Sequence, residues 1–162
     1  MGYALYWNYH KPDPKDSVDL ASLRTSFSPD FITKVKNAIK VAAKAKIKLG
    51  DWDGSELKEE PVTDTVIRFN GSPESCETFA LSARCPATAW DCCKTRLYPY
   101  TIVCMEVLQL ALEEGIIDNW STDGDDKEIK DEWRKLYKRD SNEGEQIWED
   151  PCMEKTGLNE NS

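Results

Sequence analysis

Two adjacent cysteines, Cys92 and Cys93, have the setting in this chain that most suggests reactivity, because Lys94 and Arg96 follow them closely. Positive charge beside a thiol, together with a helix N-terminus just behind it, lowers the pKa of the thiol and favours the nucleophilic thiolate. The other interpretation is structural, with one thiol packed in the core and the other in contact with solvent. The sequence leaves both interpretations open.

The remaining chemistry is limited by a single histidine, His10. A Ser-His-Asp or Cys-His arrangement would depend on it, and its place at the predicted end of a strand, beside Lys11, is typical of an ordinary surface histidine. No C-x-x-C pair and no G-x-x-x-x-G-K-[ST] phosphate loop occurs. The absent pair disfavours a structural zinc site built from Cys76, Cys85, Cys92 and Cys93. We therefore predict neither a metal nor a cofactor.

The segment FNGSPESCE, residues 69–77, lies between two apolar runs and is rich in turn-forming residues. It lacks the G-x-S-x-G pattern of a nucleophile elbow, and no second histidine exists to act as its base. Alternation places Ile67 and Phe69 on one side of the first run, and Phe79 and Leu81 on one side of the second. We interpret the segment as the loop of a β-hairpin that could bind a ligand, not as the site of a nucleophile.

The acidic stretch STDGDDKE, residues 121–128, has the composition of a calcium-binding loop but not its spacing. If Gly124 took the sixth loop position, Lys130 would stand where a bidentate glutamate is required. We predict instead the start of a charged helix that Asp123 caps.

Charge is distributed unevenly along the chain. Residues 113–162 hold 16 acids against 7 bases, which accounts for the whole net charge of −9. Such a region repels nucleic acid and anionic membranes. The opposite bias occurs between Phe31 and Gly50, where six lysines and no acid are found. Four of these lysines recur every four residues and are predicted to share one helix face: Lys36, Lys40, Lys44 and Lys48.

Local patterns predict the elements in the first half of the chain. Residues Tyr3 to Tyr9 are aromatic and β-prone, and they predict a strand. A helix is expected to follow, with Ser28 as N-cap, Pro29 in the first helical position and Gly50 just past its end. The hairpin comes next, and the segment RCPATAWDCCKTRLY after it is predicted to be irregular.

The second half of the chain begins with a helix between Pro99 and Gly115. Its apolar residues cover most of the circumference, which predicts a central core helix with a narrow solvent-exposed edge at Glu106, Gln109 and Glu113. The sequence IIDNWS predicts a further strand, and the charged helix after it carries a short apolar stripe: Ile129, Trp133, Leu136 and Tyr137.

This order of elements matches a split βαβ arrangement. We predict an α+β fold of the ferredoxin-like type, in which two helices cover one face of a four-stranded antiparallel sheet, with an added C-terminal helix. Residues 1–139 are expected to form this single domain. Residues 140–162 are expected to form an acidic, flexible tail with one apolar spot at Trp148.

The N-terminal sequence MGYALYWNYHKPD has neither the basic region nor the long apolar stretch of a secretory signal. No apolar run approaches the roughly 18 residues that a membrane span requires. We therefore expect a cytoplasmic protein that does not contact the membrane and whose six cysteines are reduced thiols.

Four short patterns occur in the order F-N-G, E-T-F, C-K-T followed by P-Y, and S-T-D-G. In this respect residues 67–133 resemble a loose group of small bacterial proteins of unknown function, in which F-N-G, E-T-F, C-K-T-x-x-x-P-Y-D and S-S-D-G recur. The chain departs from the group at Thr101, where Asp is expected, and at Thr122. The resemblance implies no activity, but it marks six candidate functional residues: Asn70, Glu77, Cys93, Lys94, Tyr100 and Asp123.

We predict from these observations a small non-catalytic protein that binds a macromolecular partner, most simply another protein. The lysine-rich helix face and Trp148 are the expected contact residues, and the overall charge disfavours nucleic acid as the partner. The alternative is a small enzyme or ligand-binding module with a pocket around Glu77, Lys94 and Tyr100. A concave site that encloses these three side chains would favour the alternative.

Overall fold

The computed structural model describes residues 3–11, 25–124 and 126–144. Within them the chain forms six strands and three helices. Their bounds, in chain order, are β1 Ala4–Tyr9, α1 Pro29–Lys44, β2 Leu49–Gly50, β3 Val66–Gly71, β4 Phe79–Ser82, β5 Trp90–Lys94, α2 Tyr100–Glu114, β6 Ile117–Thr122 and α3 Lys127–Tyr137.

The first sheet has the order β5-β1-β6, and β1 pairs antiparallel with both neighbours. The predicted N-terminal strand is therefore confirmed, and it is the centre of this sheet. Its side chains alternate: Leu5, Trp7 and Tyr9 are buried, whereas Tyr6 and Asn8 are exposed. One face of the sheet thus packs on the core, and the opposite face is open to solvent.

The second sheet has the order β2-β3-β4 and contains the predicted hairpin, which is confirmed. Alternation in both hairpin strands directs their large apolar side chains inward. These buried side chains are Ile67, Phe69, Phe79 and Leu81. The rings of Trp7 and Phe79 lie 5.3 Å apart, so the two sheets contribute to one continuous core.

Helix α2 lies at the centre of the molecule, between α1 and α3, and it also packs on β6. The predicted central core helix is confirmed, with Gly115 in a left-handed conformation at its C-cap. The expected solvent-exposed edge is correct only at Glu113. Glu106 and Gln109 are buried, and their side chains are satisfied there by hydrogen bonds from the indole N–H groups of Trp133 and Trp120, both at 3.1 Å.

Helix α1 begins as predicted, with the Ser28 hydroxyl accepting a hydrogen bond from the Phe31 amide at 3.2 Å. It does not continue to Gly50. The chain leaves the helix after Lys44, and Lys46 adopts a positive φ of 66°. Gly50 belongs to β2 instead, where an added Cβ would lie 2.5 Å from the Ser55 carbonyl oxygen, so glycine is required there for close strand approach.

The predicted cap of α3 is wrong as well. The helix begins at Lys127 after Asp126, while the Asp123 carboxylate accepts a hydrogen bond from the Ala4 amide at 3.0 Å. At the other end of α3, Arg139 forms an ion pair with the buried Glu106 at 2.8 Å, which fastens the end of this segment to α2.

The α+β class is confirmed, but the ferredoxin-like single sheet of four strands is not found. The segment predicted to be irregular contains β5, which pairs with β1 on the side opposite β6. Because β5 and β6 occupy both edges of β1, the hairpin strands cannot pair with β1, and they form a separate sheet with β2. None of the described helices is long and apolar enough to span a membrane.

The described part of the predicted tail, residues 140–144, follows α3 and contacts it. Lys130 donates a hydrogen bond to the Gly144 carbonyl at 3.0 Å, and Arg134 donates one to the Glu143 carbonyl at 2.9 Å. Trp148 and the rest of the predicted tail lie outside the described residues.

Candidate binding site on an open sheet face

Asn70, the first residue marked by the sequence, is fully buried where the hairpin loop leaves β3. Its side-chain oxygen, Oδ1, accepts hydrogen bonds from the backbone amides of Gly71 and Cys76, at 2.8 and 3.0 Å. Its side-chain nitrogen, Nδ2, donates to the Cys76 carbonyl at 2.9 Å and to the Thr78 hydroxyl at 3.1 Å. This side chain therefore holds the loop together from within.

Four other marked residues meet where the hairpin contacts β5. The Glu77 amide donates to the Lys94 carbonyl at 3.0 Å, and the Lys94 amide donates to the Glu77 carboxylate at 2.8 Å. The buried Tyr100 donates its hydroxyl to the Glu77 carbonyl at 2.8 Å and to the Lys94 carbonyl at 3.3 Å. The Cys93 thiol contacts the same Glu77 carbonyl at 3.5 Å. We call Asn70, Glu77, Cys93, Lys94 and Tyr100 the seam.

The seam joins the two sheets through hydrogen bonds between the hairpin and β5. The side chains of Glu77 and Lys94 are exposed, whereas the Tyr100 ring is buried and burial raises the pKa of its hydroxyl. One carboxylate oxygen of Glu77 and the Tyr100 hydroxyl are already hydrogen-bonded to backbone groups. Such an arrangement stabilises the junction of two sheets.

The open face of the first sheet presents side chains of a different kind. Tyr6 and Asn8 of β1 lie opposite Cys92 and Trp90 of β5, respectively. On the other side they lie opposite Ser121 and Asn119 of β6. We call the open face formed by Tyr6, Asn8, Trp90, Cys92, Asn119 and Ser121 the aromatic face.

The two aromatic side chains of this face are strongly exposed, Tyr6 by 39% and Trp90 by 53%. Together with Asn8, Asp91, Ser121 and Asp123 they line an open depression of about 390 Å³. Asp123 lines this depression, and its carboxylate raises the pKa of the Tyr6 hydroxyl. Asp123 is thus the one residue marked by the resemblance that lines this site.

Electrostatics on the aromatic face favour a neutral thiol at Cys92. Burial raises the pKa of this thiol, and the carboxylates of Glu77 and Asp91 raise it further. Lys94 acts in the opposite direction but does not overcome them. Burial also raises the pKa of Cys93. These directions are opposite to the lowered pKa that a reactive thiolate would require.

The predicted lysine face is exposed, but its last member does not belong to the helix. Lys36, Lys40 and Lys44 lie on α1, whereas Lys48 follows it.

His10, which follows β1, is exposed, and its Nδ1 atom lies 2.8 Å from a carboxylate oxygen of Asp118. This pair lies at the opposite end of the β1–β6 ladder from Asp123. The five described cysteines are free thiols, and within the described ranges no three His, Cys, Asp or Glu side chains form a metal-binding group.

A second exposed tryptophan offers a useful contrast. Trp52 lies in the loop after β2 and is 77% exposed. It borders a smaller cavity of about 170 Å³, near Asp51, Glu59 and Arg68. This cavity belongs to the second sheet, and no other exposed large aromatic side chain lies beside Trp52 in the described part of the chain.

The chain matches no protein-family model, and no curated protein or solved structure is detectably similar to it. The site must therefore be judged by its own geometry. Sequence reasoning did not identify the aromatic face. Alternation in β1 was a signal for the outward direction of Tyr6 and Asn8, but the position of Trp90 depends on β5, which was not predicted.

Proposed function

We propose that this chain is a binding protein whose aromatic face docks on another protein. The observation that carries the proposal is the pair of exposed aromatic side chains, Tyr6 and Trp90, on adjacent strands of one sheet face. Tyrosine and tryptophan are enriched at the energetic centres of protein interfaces, because each supplies a large contact area at a small cost in conformational entropy. Exposed aromatic groups lower the solubility of a monomer, so two of them side by side on one face indicate an interaction site.

The form of the site also favours a macromolecular partner. An open depression on a flat strand face cannot bury most of the surface of a small molecule, as a ligand pocket does. The face is well supported from below, because β1 is paired on both sides and its inward side chains belong to the core. Because the strands of this face are already ordered by pairing and core packing, binding loses little conformational entropy of the backbone.

Catalysis has less support from the same observations. Burial raises the pKa of the Cys92 and Cys93 thiols, which favours their neutral forms. One carboxylate oxygen of Glu77 and the Tyr100 hydroxyl are hydrogen-bonded to backbone groups of the seam. The lysine face of α1 stays a predicted secondary contact. Its lysines are exposed, and in the part of the chain that the structure describes no exposed large aromatic side chain lies on α1.

Site-specific photo-crosslinking tests the proposal without knowledge of the partner. A photoreactive phenylalanine, p-benzoylphenylalanine, is placed at Tyr6 or at Trp90 in the cells from which the chain originates, and at Trp52 as the matched control. We expect a light-dependent adduct of one defined mass from positions 6 and 90, and none from position 52. Adducts of equal yield from all three positions, or from position 52 alone, would contradict the proposal.

A further inference from the structure

The strand register sets the spacing of the two aromatic side chains. Tyr6 pairs with Cys92 and Asn8 pairs with Trp90, so Tyr6 and Trp90 are diagonal neighbours on one face. Diagonal residues of an antiparallel ladder are about 7–8 Å apart, and strand side chains stand roughly perpendicular to the sheet. This separation of the two strand positions leaves room for one flat group between their side chains, because such a group needs a van der Waals contact of about 3.5–4.0 Å on each face.

The negative charge around Tyr6 and Trp90 favours a cationic planar group over a neutral or anionic one. Asp91 and Asp123 line the depression, and the carboxylate of Glu77 also acts on Cys92. Among the described residues, those that line the depression include these two carboxylates and no lysine or arginine. The local balance is therefore negative, in the same sense as the net charge of −9. A cationic group is attracted, whereas a nucleic-acid base would bring its phosphate into repulsion.

The polar atoms at the rim are suited to a donor with several N–H groups. Asn8 donates its amide nitrogen to the Asn119 carbonyl at 2.7 Å, which leaves the Asn8 carbonyl as an acceptor on the face. The Asp123 carboxylate supplies a charged acceptor beside Tyr6. A guanidinium group is planar, carries five N–H donors and stacks on aromatic rings, whereas an ammonium group is a compact point charge.

We infer that the aromatic face receives an arginine side chain of the partner protein, stacked between Tyr6 and Trp90 and hydrogen-bonded to Asp123. This inference rests on the proposed docking function and specifies the chemistry of its partner. Charge complementarity and the width of the gap support arginine over lysine, over a neutral aromatic group and over a second copy of this chain.

The test compares three short peptides that differ in one group. Isothermal titration calorimetry measures the binding of a triarginine peptide, a trilysine peptide and a tricitrulline peptide to the full chain. Citrulline preserves the shape of arginine without its charge. We expect triarginine to bind at least tenfold more tightly than tricitrulline and about threefold or more tightly than trilysine. Equal binding of triarginine and either control peptide would overturn the inference.

Variants of the chain locate the binding. Trp90→Ala and Asp123→Asn should each weaken triarginine binding by about fivefold or more, and Trp90→Phe should restore most of it. Asparagine at position 123 keeps an acceptor for the Ala4 amide, so the strand end is preserved. Trp52→Ala, the matched control, should change the affinity by less than about twofold. Unchanged binding in Trp90→Ala and Asp123→Asn would mean that the peptide binds elsewhere on the acidic chain, and the inference would be wrong.

The two proposals fail in different ways. If positions 6 and 90 crosslink to a protein but triarginine does not bind, the docking function stands and the arginine assignment falls. If the crosslinked adduct has twice the mass of the chain, and sedimentation shows self-association that Trp90→Ala abolishes, a second copy occupies the face and the arginine assignment again falls. Tight, Trp90-dependent binding of triarginine supports the assignment independently of the crosslink.

Discussion

Cys92 and Cys93 are neighbours in β5, and they belong to two regions that use their polar and aromatic side chains in opposite ways. Cys93 points into the seam, where Asn70 and Tyr100 are buried and hydrogen-bonded to the backbone. Cys92 lies on the aromatic face, where Tyr6 and Trp90 are exposed. The seam thus holds the fold together, while the aromatic face leaves its contact area available to a partner.

The two regions show that burial and hydrogen bonding distinguish side chains that stabilise the fold from side chains that are available for binding. A buried polar side chain whose donors and acceptors are all engaged contributes to stability, because its loss leaves backbone groups unsatisfied. An exposed aromatic side chain contributes little to stability, and its retention on one face with another aromatic residue indicates binding. Matched substitutions in the two regions therefore test whether the two kinds of side chain differ in this way.

The largest expected effect is that of Asn70→Ala. The substitution leaves the Gly71 amide and both backbone groups of Cys76 without their partners in a buried loop. We expect the free energy of unfolding to fall by about 3 kcal/mol, which lowers the melting temperature by about 6–12 °C. Thermal unfolding followed by circular dichroism measures this. Asn8→Ala on the aromatic face is the control and should cost less than about 0.5 kcal/mol; similar losses in both variants would remove the distinction.

The second prediction compares the two adjacent thiols by their rates of alkylation with iodoacetamide, measured by peptide mass spectrometry. Cys93 is 1% exposed, so its thiol reacts only after the surrounding structure opens locally. A free energy of local opening of about 3 kcal/mol makes alkylation of Cys93 about a hundredfold slower than that of Cys92.

The pH dependence of the reaction at Cys92 follows from the raised pKa of its thiol. Because only the thiolate reacts, a raised pKa means less reactive species at neutral pH than in a free cysteine. The rate should be below that of N-acetylcysteine at pH 7.5 and should continue to rise with pH after the free thiol has reached its plateau. A faster reaction than that of N-acetylcysteine would show instead that Cys92 is an activated thiol.

Tyr100→Phe should have an intermediate effect on stability. It removes one hydroxyl that donates to the carbonyl groups of Glu77 and Lys94, while the buried ring is retained. We expect a loss of about 1–2 kcal/mol in urea denaturation. Tyr6→Phe is the matched control, because the Tyr6 side chain is exposed. The free energy of unfolding of this variant should lie within about 0.5 kcal/mol of that of the original chain. If Tyr6→Phe were the more damaging of the two, the aromatic face would have a structural role.

The smallest expected effect on stability is that of Trp90→Ala, which is also the variant that should most impair partner binding. Trp90 is 53% exposed, so its removal should change the free energy of unfolding by less than about 0.5 kcal/mol. Trp120→Ala, in which a buried indole is lost, should cost about 3–5 kcal/mol in the same urea titration. A large loss of stability in Trp90→Ala would show that this side chain supports the fold.

Features that depend on neighbouring residues were predictable from the sequence. The N-terminal strand, the Ser28 cap, the hairpin and the apolar circumference of α2 are each encoded within a few residues and agree with the structure. The end of α1 was not predictable in this way. Glycine near a helix end usually indicates a C-cap, but Gly50 is required by the approach of Ser55.

The candidate site was less predictable than the fold. Five of the six residues marked by the resemblance form the seam, and Asp123 lines the aromatic face. Tyr6 and Trp90 carry no motif of their own. Their significance depends on the pairing of Asn8 with Trp90, which no pattern within either segment specifies.

Composition and side-chain period within short segments were enough to predict the α+β class, the apolar side of each hairpin strand and the negative charge, because both are local properties. The pairing of β5 with β1, the burial of Glu106 and Gln109, and the common face of Tyr6 and Trp90 became apparent only in the folded chain. Strand pairing and burial depend on contacts between distant segments, whose energies appear only when those segments meet.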